Sequence, residues 1–346
     1  MTQTNALDQF ERLRAAHTDA VLDTIQAVLQ RAGLTGSSLD SMLAYHLRTG
    51  GKRLRAILPL MVAEALGQEA ASLIPFGAAC ELIHNATLIH DDLQDGDELR
   101  RGQPAIWKEF GQARAINLGD ACLYLAPLCL DDLPVPEASR WRAGRRIFLD
   151  ILQVIDGQER EFDLQADATV DLSTYRRMVE GKTSGLFALP VAGAAELCDA
   201  EEALVQALEV ACRSLGVLFQ VQDDILDLYG DKGRDARGGD IKEGKRSALV
   251  VAFNGLAAPD DRRRLQEILD TPRDQTSEEM VAWAIDALRD QGALASALGL
   301  IDDCKLEVAE LSALQDYPTL RDLLLGLAEL FLRPIQGLIQ TSEHAP

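Results

Sequence analysis

Apolar residues recur at helical spacing along almost all of this 346-residue chain, and strand-like alternation is rare. A period near 3.6 places one apolar stripe on a helix but scatters side chains over both faces of a strand. The chain is therefore expected to be all-α. Helices are expected over residues 7–32, 39–49, 55–66, 74–94, 115–130, 140–166, 172–191, 201–228, 281–314 and 319–341. Two segments break the pattern: 230–244, rich in Gly, Asp, Lys and Arg, and the polar stretch 257–277. No linker-like composition shift and no short-period repeat appears, so one all-α domain over residues 1–346 is expected. Stretches 74–94 and 201–228 are the most apolar and belong at its centre.

Each of these two helices ends in the same acidic pattern: Asp91-Asp92-Leu93-Gln94-Asp95 and Asp223-Asp224-Ile225-Leu226-Asp227. Positions i and i+4 share a helix face, so Asp91 stacks near Asp95, and Asp223 near Asp227. Like charges so placed repel, and a divalent cation removes the repulsion. Carboxylates suit Mg²⁺, which divides its shell between one or two carboxylates and substrate phosphates.

Acidic residues outnumber basic ones 55 to 34, for a formal charge of −21. That field repels nucleic acid and anionic lipid, so neither is an expected partner. A phosphorylated substrate would be repelled too, unless metal ions or a local basic cluster receive it. Such clusters exist: Lys52, Arg53 and Arg55 after Gly50-Gly51, then Arg100-Arg101, Lys182-Thr183, and Lys242, Lys245 and Arg246. Carboxylates and cations arranged around one cavity would hold diphosphates. The six cysteines stand singly in apolar stretches without a CxxC, as reduced thiols of a cytoplasmic protein would. The polar N-terminal stretch is unlike a signal peptide, and no transmembrane segment is expected.

These residues carry a resemblance to the trans-isoprenyl diphosphate synthase (polyprenyl synthetase) family. The similar stretches are GGKRLR at 50–55, ELIHNATLIHDDLQDGDELRRGQPA at 81–105, GD at 119–120, GKTSGLF at 181–187, FQVQDDILD at 219–227 and GDIKEGKRS at 239–247. The resemblance implies a single-domain isoprenoid synthase bundle with a central cavity between the two aspartate-bearing helices. It also implies head-to-tail transfer: isopentenyl diphosphate condenses with an allylic diphosphate, in a Mg²⁺-dependent homodimer. Three Mg²⁺ per active site are expected, with Mn²⁺ able to substitute. Asp91, Asp95 and Asp223 would hold metal, with Asp92, Asp224 and Asp227 beside them. Lys182, Thr183, Gln220, Lys245 and Arg100 would serve the allylic diphosphate, and Lys52, Arg55, His84 and Arg101 isopentenyl diphosphate.

Two positions depart from the family pattern. Asp235 stands where a lysine is usual, flanked by Arg234 and Arg237, and Glu161 stands where Asp is usual. Product length in this family depends on residues preceding the first motif. Ala86 and Thr87 are small, which leaves Ile83, Leu82 and Tyr124 as candidate floors and geranylgeranyl diphosphate as the expected product. Farnesyl or longer products are the alternatives. A terpene cyclase and a non-catalytic regulatory subunit are more remote, since this chain keeps both DDxxD motifs.

Overall fold

The computed structural model describes residues 4–165, 170–230 and 237–342. In chain order its helices are α1 (Thr4–Arg31), α2 (Ser38–Arg48), α3 (Leu54–Ala65), α4 (Ile74–Gln94), α5 (Ile106–Phe110), α6 (Gln112–Leu128), α7 (Glu137–Gln165), α8 (Leu172–Lys182) and α9 (Gly185–Leu197). There follow α10 (Glu202–Tyr229), α11 (Gly239–Lys242), α12 (Ala248–Leu256), α13 (Pro259–Leu269), α14 (Glu278–Asp290), α15 (Ala293–Glu310), α16 (Pro318–Leu332) and α17 (Gln336–Ser342). A two-residue hairpin, β1 (Leu99–Arg100) and β2 (Gln103–Pro104), supplies the strands among the described residues. The all-α expectation holds.

The boundaries that differ have local causes. The expected helix 172–191 breaks at Thr183 and Ser184, and 281–314 breaks at Gln291 and Gly292, where Gly292 takes φ 83°. The polar stretch 257–277 contains α13, which starts on Pro259 and buries Leu265, Ile268 and Leu269. Its five-residue run of charge, Asp260 to Arg264, hides that stripe. The hairpin was also unforeseen: Arg101 and Gly102 both take positive φ, which lets so short a turn close.

The chain divides into two compact units. The first comprises residues 1–152, 186–209 and 312–323. Here α4 packs on α1, α3 and α6 and buries Phe76, Ala79, Leu82, Ile83, Ala86 and Ile89. The α3–α4 approach requires Gly77, where a Cβ would stand 2.3 Å from the Ala56 carbonyl oxygen. The second unit comprises residues 153–185, 210–311 and 324–346. In it α12 packs on α8, α14 and α15. The α7 and α8 segments cross at Gly157, where a Cβ would fall 2.1 Å from the Lys182 nitrogen.

Caps fix the helix starts that matter for the site. Asp171 accepts from Thr174 N at the start of α8, and Ser247 accepts from Val250 N at the start of α12. Two stretches, Ala70–Gln94 and Glu202–Tyr229, are long and apolar enough to cross a bilayer by length and composition alone. Their most apolar windows are 72% and 67% buried in protein, as in core helices.

Candidate active site

In the first unit, four arginines gather around the start of α3 and the end of α4. Arg53 enters α3 in a left-handed conformation, φ 54°. Its guanidinium donates to Glu81 Oε1 at 2.8 Å, and the Asn85 amide donates to the same oxygen at 3.0 Å. Arg55 lies over the Phe187 ring at 4.7 Å, with Nη1 3.4 Å from His84 Nε2. Arg101 donates to the Gly50 carbonyl, its guanidinium so close over Gly51 that a Cβ there would sit 2.5 Å from Nη1. Arg100 grips the buried Asp92 with Nε 2.8 Å from both carboxylate oxygens. Lys52 is exposed.

This positive field has consequences. Burial, then Arg55, Arg100 and Arg101, hold the His84 imidazole well below its usual range. Burial, Arg100, Arg101 and Arg53 push His46 down to about 3. Burial lowers even Arg55 to about 10, with Glu81 opposing the shift. Both histidines are therefore neutral at pH 7, and Arg55 remains charged. Arg55 Nε and His84 Nδ1 are buried, and neither has a hydrogen-bond partner among the described residues. Two buried nitrogens with hydrogen-bonding capacity to spare, in a cationic cluster, have the chemistry to receive an anion. His46 and Glu81 were missed in the sequence, and Arg53 entered there only as one cation of the basic cluster. Glu81 carried the usable signal, because a carboxylate inside so apolar a helix must have a partner.

The six motif aspartates fall into two groups. Asp92, Asp224 and Asp227 are buried, whereas Asp91, Asp95 and Asp223 are partly exposed. Asp92 is occupied by Arg100. Asp224 accepts from the Tyr175 hydroxyl at 2.8 Å, the Ala248 nitrogen at 2.7 Å and the Gln220 amide at 3.0 Å. Asp227 Oδ2 accepts from the Asp240 nitrogen at 3.0 Å. Among the described residues no three metal-ligating side chains converge into a ready-made cage. The partly exposed carboxylates of Asp91, Asp95 and Asp223 are a hard-oxygen donor set, which suits Mg²⁺ with a shell completed by water and phosphate.

In the second unit Lys182 pairs with Glu161, so the departure from Asp keeps the charge and reaches the lysine. Lys245 pairs with Glu243 at 2.7 Å and lies 3.9 Å from Asp240. The Thr183 hydroxyl donates to Gln220 Oε1 at 3.1 Å. Arg234 and Asp235 lie outside the described residues, and Arg237 is exposed.

The residues considered for length control separate by helix face. Ala86, Ile83 and Leu82 are fully packed, and Ala86 lies one turn before His90, which packs on Gly119 of α6. Thr87, one turn before Asp91, is partly exposed and donates to the His84 carbonyl at 2.9 Å. Tyr124 is 74% exposed, away from the core of its own chain.

Solved structures share this fold. A geranylgeranyl pyrophosphate synthetase from Pyrococcus horikoshii Ot3 superposes with a TM-score of 0.82 at 27% identity, over 94% of this chain and 98% of that one. A polyprenyl synthase from Caulobacter crescentus CB15, solved with calcium and isoprenyl diphosphate, gives 0.82 at 26% identity, over 94% and 97%. The scaffold is that of the isoprenoid synthases. Residues 37–288 match the polyprenyl synthetase family model. The geranylgeranyl diphosphate synthase of Methanosarcina mazei is 34% identical over 241 residues, 69% of this chain and 72% of that protein. The chain belongs to the polyprenyl synthetase family, and its chemistry is prenyl transfer.

Proposed function

We propose that the chain condenses isopentenyl diphosphate with an allylic diphosphate and releases geranylgeranyl diphosphate. The observation that carries this reading is the pair of buried, unpartnered nitrogens, Arg55 Nε and His84 Nδ1, inside an arginine cluster of a chain with net charge −21. Lys52, Arg55, His84 and Arg101 hold the diphosphate of isopentenyl diphosphate. Asp91, Asp95 and Asp223 hold Mg²⁺, three ions per active site, with Mn²⁺ able to replace it. Bound Mg²⁺ supplies Lewis-acid neutralisation of the leaving diphosphate. Lys182 and Lys245 give the same leaving group charge-assisted hydrogen bonds by trading their present carboxylate partners. Arg100 serves the allylic diphosphate as well, while it holds Asp92. Thr183 and Gln220 offer polar oxygens to the positive carbon chain. The released diphosphate takes the proton, so the protein needs no dedicated base. The six described cysteines are free thiols, in keeping with a cytoplasmic enzyme.

The test is incubation with labelled isopentenyl diphosphate, Mg²⁺ and each of dimethylallyl, geranyl and farnesyl diphosphate, with the dephosphorylated alcohols sized. A twenty-carbon alcohol is expected, and turnover of a starter without isopentenyl diphosphate would indicate a cyclase instead. In the same assay Thr87→Phe should shorten the product to fifteen carbons. Overpacking costs ~1–3 kcal/mol, and ~1.4 kcal/mol shifts a partition tenfold. Ala86→Phe is the poorer probe, because its ring would be forced into the α4–α6 packing. If Thr87→Phe turns over and still releases the parent length, growth does not pass this face of α4.

We also propose a homodimer. Ile116, Tyr124 and Leu128 form an exposed stripe on α6, and Trp141, Phe148, Leu149 and Leu152 an exposed face on α7. Monomers rarely leave so much apolar surface in water, and a second copy would bury the Tyr124 ring. Light scattering should return twice the chain mass of 37.7 kDa, and a monomer at micromolar concentration would refute the dimer.

A further inference from the structure

Tyr175 has no part in the chemistry described so far, yet it is 1% exposed and its hydroxyl is spent on a motif aspartate. That aspartate, Asp224, is 4% exposed and receives donors from three helices of the second unit. Tyr175 donates from α8, Gln220 from α10 itself, and the Ala248 nitrogen from the first residue of α12. The last donor is also a helix N-terminus, where a carboxylate is favoured.

Each donor leads to a group assigned to the allylic side. Tyr175 and Lys182 are seven residues apart on α8, two turns along one face. Gln220 also accepts from Thr183 at 3.1 Å, which ties the end of α8 to α10 a second time. Lys245 lies three residues before Ala248, and Asp223 is the neighbour of Asp224 on its own turn. With three donors on its two oxygens, Asp224 is committed to protein rather than to metal.

We propose that Tyr175 is a positioning residue for the prenyl-transfer reaction. Its hydroxyl locks the Asp224 carboxylate inward, which sets the rotation of the α10 turn carrying Asp223 and the distance from α8 to that turn. This rests on the assignment of Asp223 as a metal ligand. The chain thus uses adjacent aspartates oppositely, one turned out for metal and one turned in as a brace.

The experiment compares Mg²⁺ titrations, read both by turnover and by the Mg²⁺-dependent rise in circular-dichroism melting temperature, in the parent, Tyr175→Phe, Asp224→Asn and the double variant, each verified as folded. A hydrogen bond to a buried charge is worth at least a tenfold effect. Tyr175→Phe should therefore raise the half-saturating Mg²⁺ about tenfold, while the KM for isopentenyl diphosphate, bound by residues of the first unit, stays within about twofold. Asp224→Asn should shift the titration in the same direction, and the double variant should be no worse than Asp224→Asn alone. An unmoved Mg²⁺ titration in either single variant, or additive losses in the double, would overturn the proposal. Asp223→Ala keeps the two readings apart. If it loses metal-dependent turnover while Tyr175→Phe behaves as parent, Tyr175 alone is misassigned. If it retains the parent's Mg²⁺ dependence, the metal assignment fails and Tyr175 falls with it.

Discussion

Asp91→Ala and Asp223→Ala should each lower kcat about a hundred- to a thousandfold at saturating substrates, and excess EDTA should abolish elongation by the parent enzyme. The estimate follows from removing one ligand of a Lewis acid that supplies several kcal/mol at the departing diphosphate, with ~1.4 kcal/mol per tenfold in rate. Both carboxylates are partly exposed, unlike Asp92, Asp224 and Asp227. The buried three should respond differently. Asp92→Ala leaves the Arg100 guanidinium facing an empty carboxylate position, so it should lower the melting temperature as well as the rate. Asp91→Ala removes repulsion and should leave the melting temperature equal or higher. Elongation that persists in excess EDTA, or an Asp91→Ala enzyme at parental kcat, would remove metal from the mechanism.

The second large effect is expected at the arginine cluster. Arg55→Ala should raise the KM for isopentenyl diphosphate about ten- to a hundredfold, since a hydrogen bond to a charged group is typically worth ~1.5–3 kcal/mol. Arg55 is already braced over Phe187 and against His84, so its orientation costs nothing further on binding. Lys52→Ala, at an exposed and mobile-stemmed cation, should cost less, roughly tenfold. Lys182→Ala should instead slow ionisation of the allylic diphosphate and leave the KM for isopentenyl diphosphate near the parent's. Unchanged isopentenyl diphosphate kinetics in Arg55→Ala would mean that the cluster receives some other anion.

Much of this site could be read in the chain because the chemistry needs local spacing. Two carboxylates one turn apart at the end of an apolar helix require no tertiary information to recognise, and apolar spacing alone delimits α4 from Ile74 to Gln94. Glycine followed by a run of cations marks an anion-receiving helix start equally locally. What failed was reading through punctuation. Thr183-Ser184 and Gln291-Gly292 interrupt apolar patterns that continue in phase on either side, so periodicity alone ran two helices together. In α13 the charge density of Asp260 to Arg264 outweighed three apolar residues that face inward.

The division of labour within each DDxxD was not legible at all. Asp223 and Asp224 are identical residues side by side, and composition, spacing and charge treat them alike. They differ because Tyr175 lies 49 positions earlier and Ala248 lies 24 later, and packing brings both donors to one of them. The same holds for Ala86 and Thr87, adjacent small residues of which one faces α6 and the other shares the partly exposed face of Asp91. By itself the sequence determined an all-helical chain, two metal-suited aspartate clusters and a basic response to its own negative field. Those follow from periodicity and from charges close in sequence. Only tertiary structure decided which aspartate turns outward, which arginine is left with a donor to spend, and which side of α4 stays partly open. Burial and hydrogen-bond partners are set by residues far apart in the chain, and one residue of helical rotation, 100° in an α-helix, exchanges a packed position for an open one.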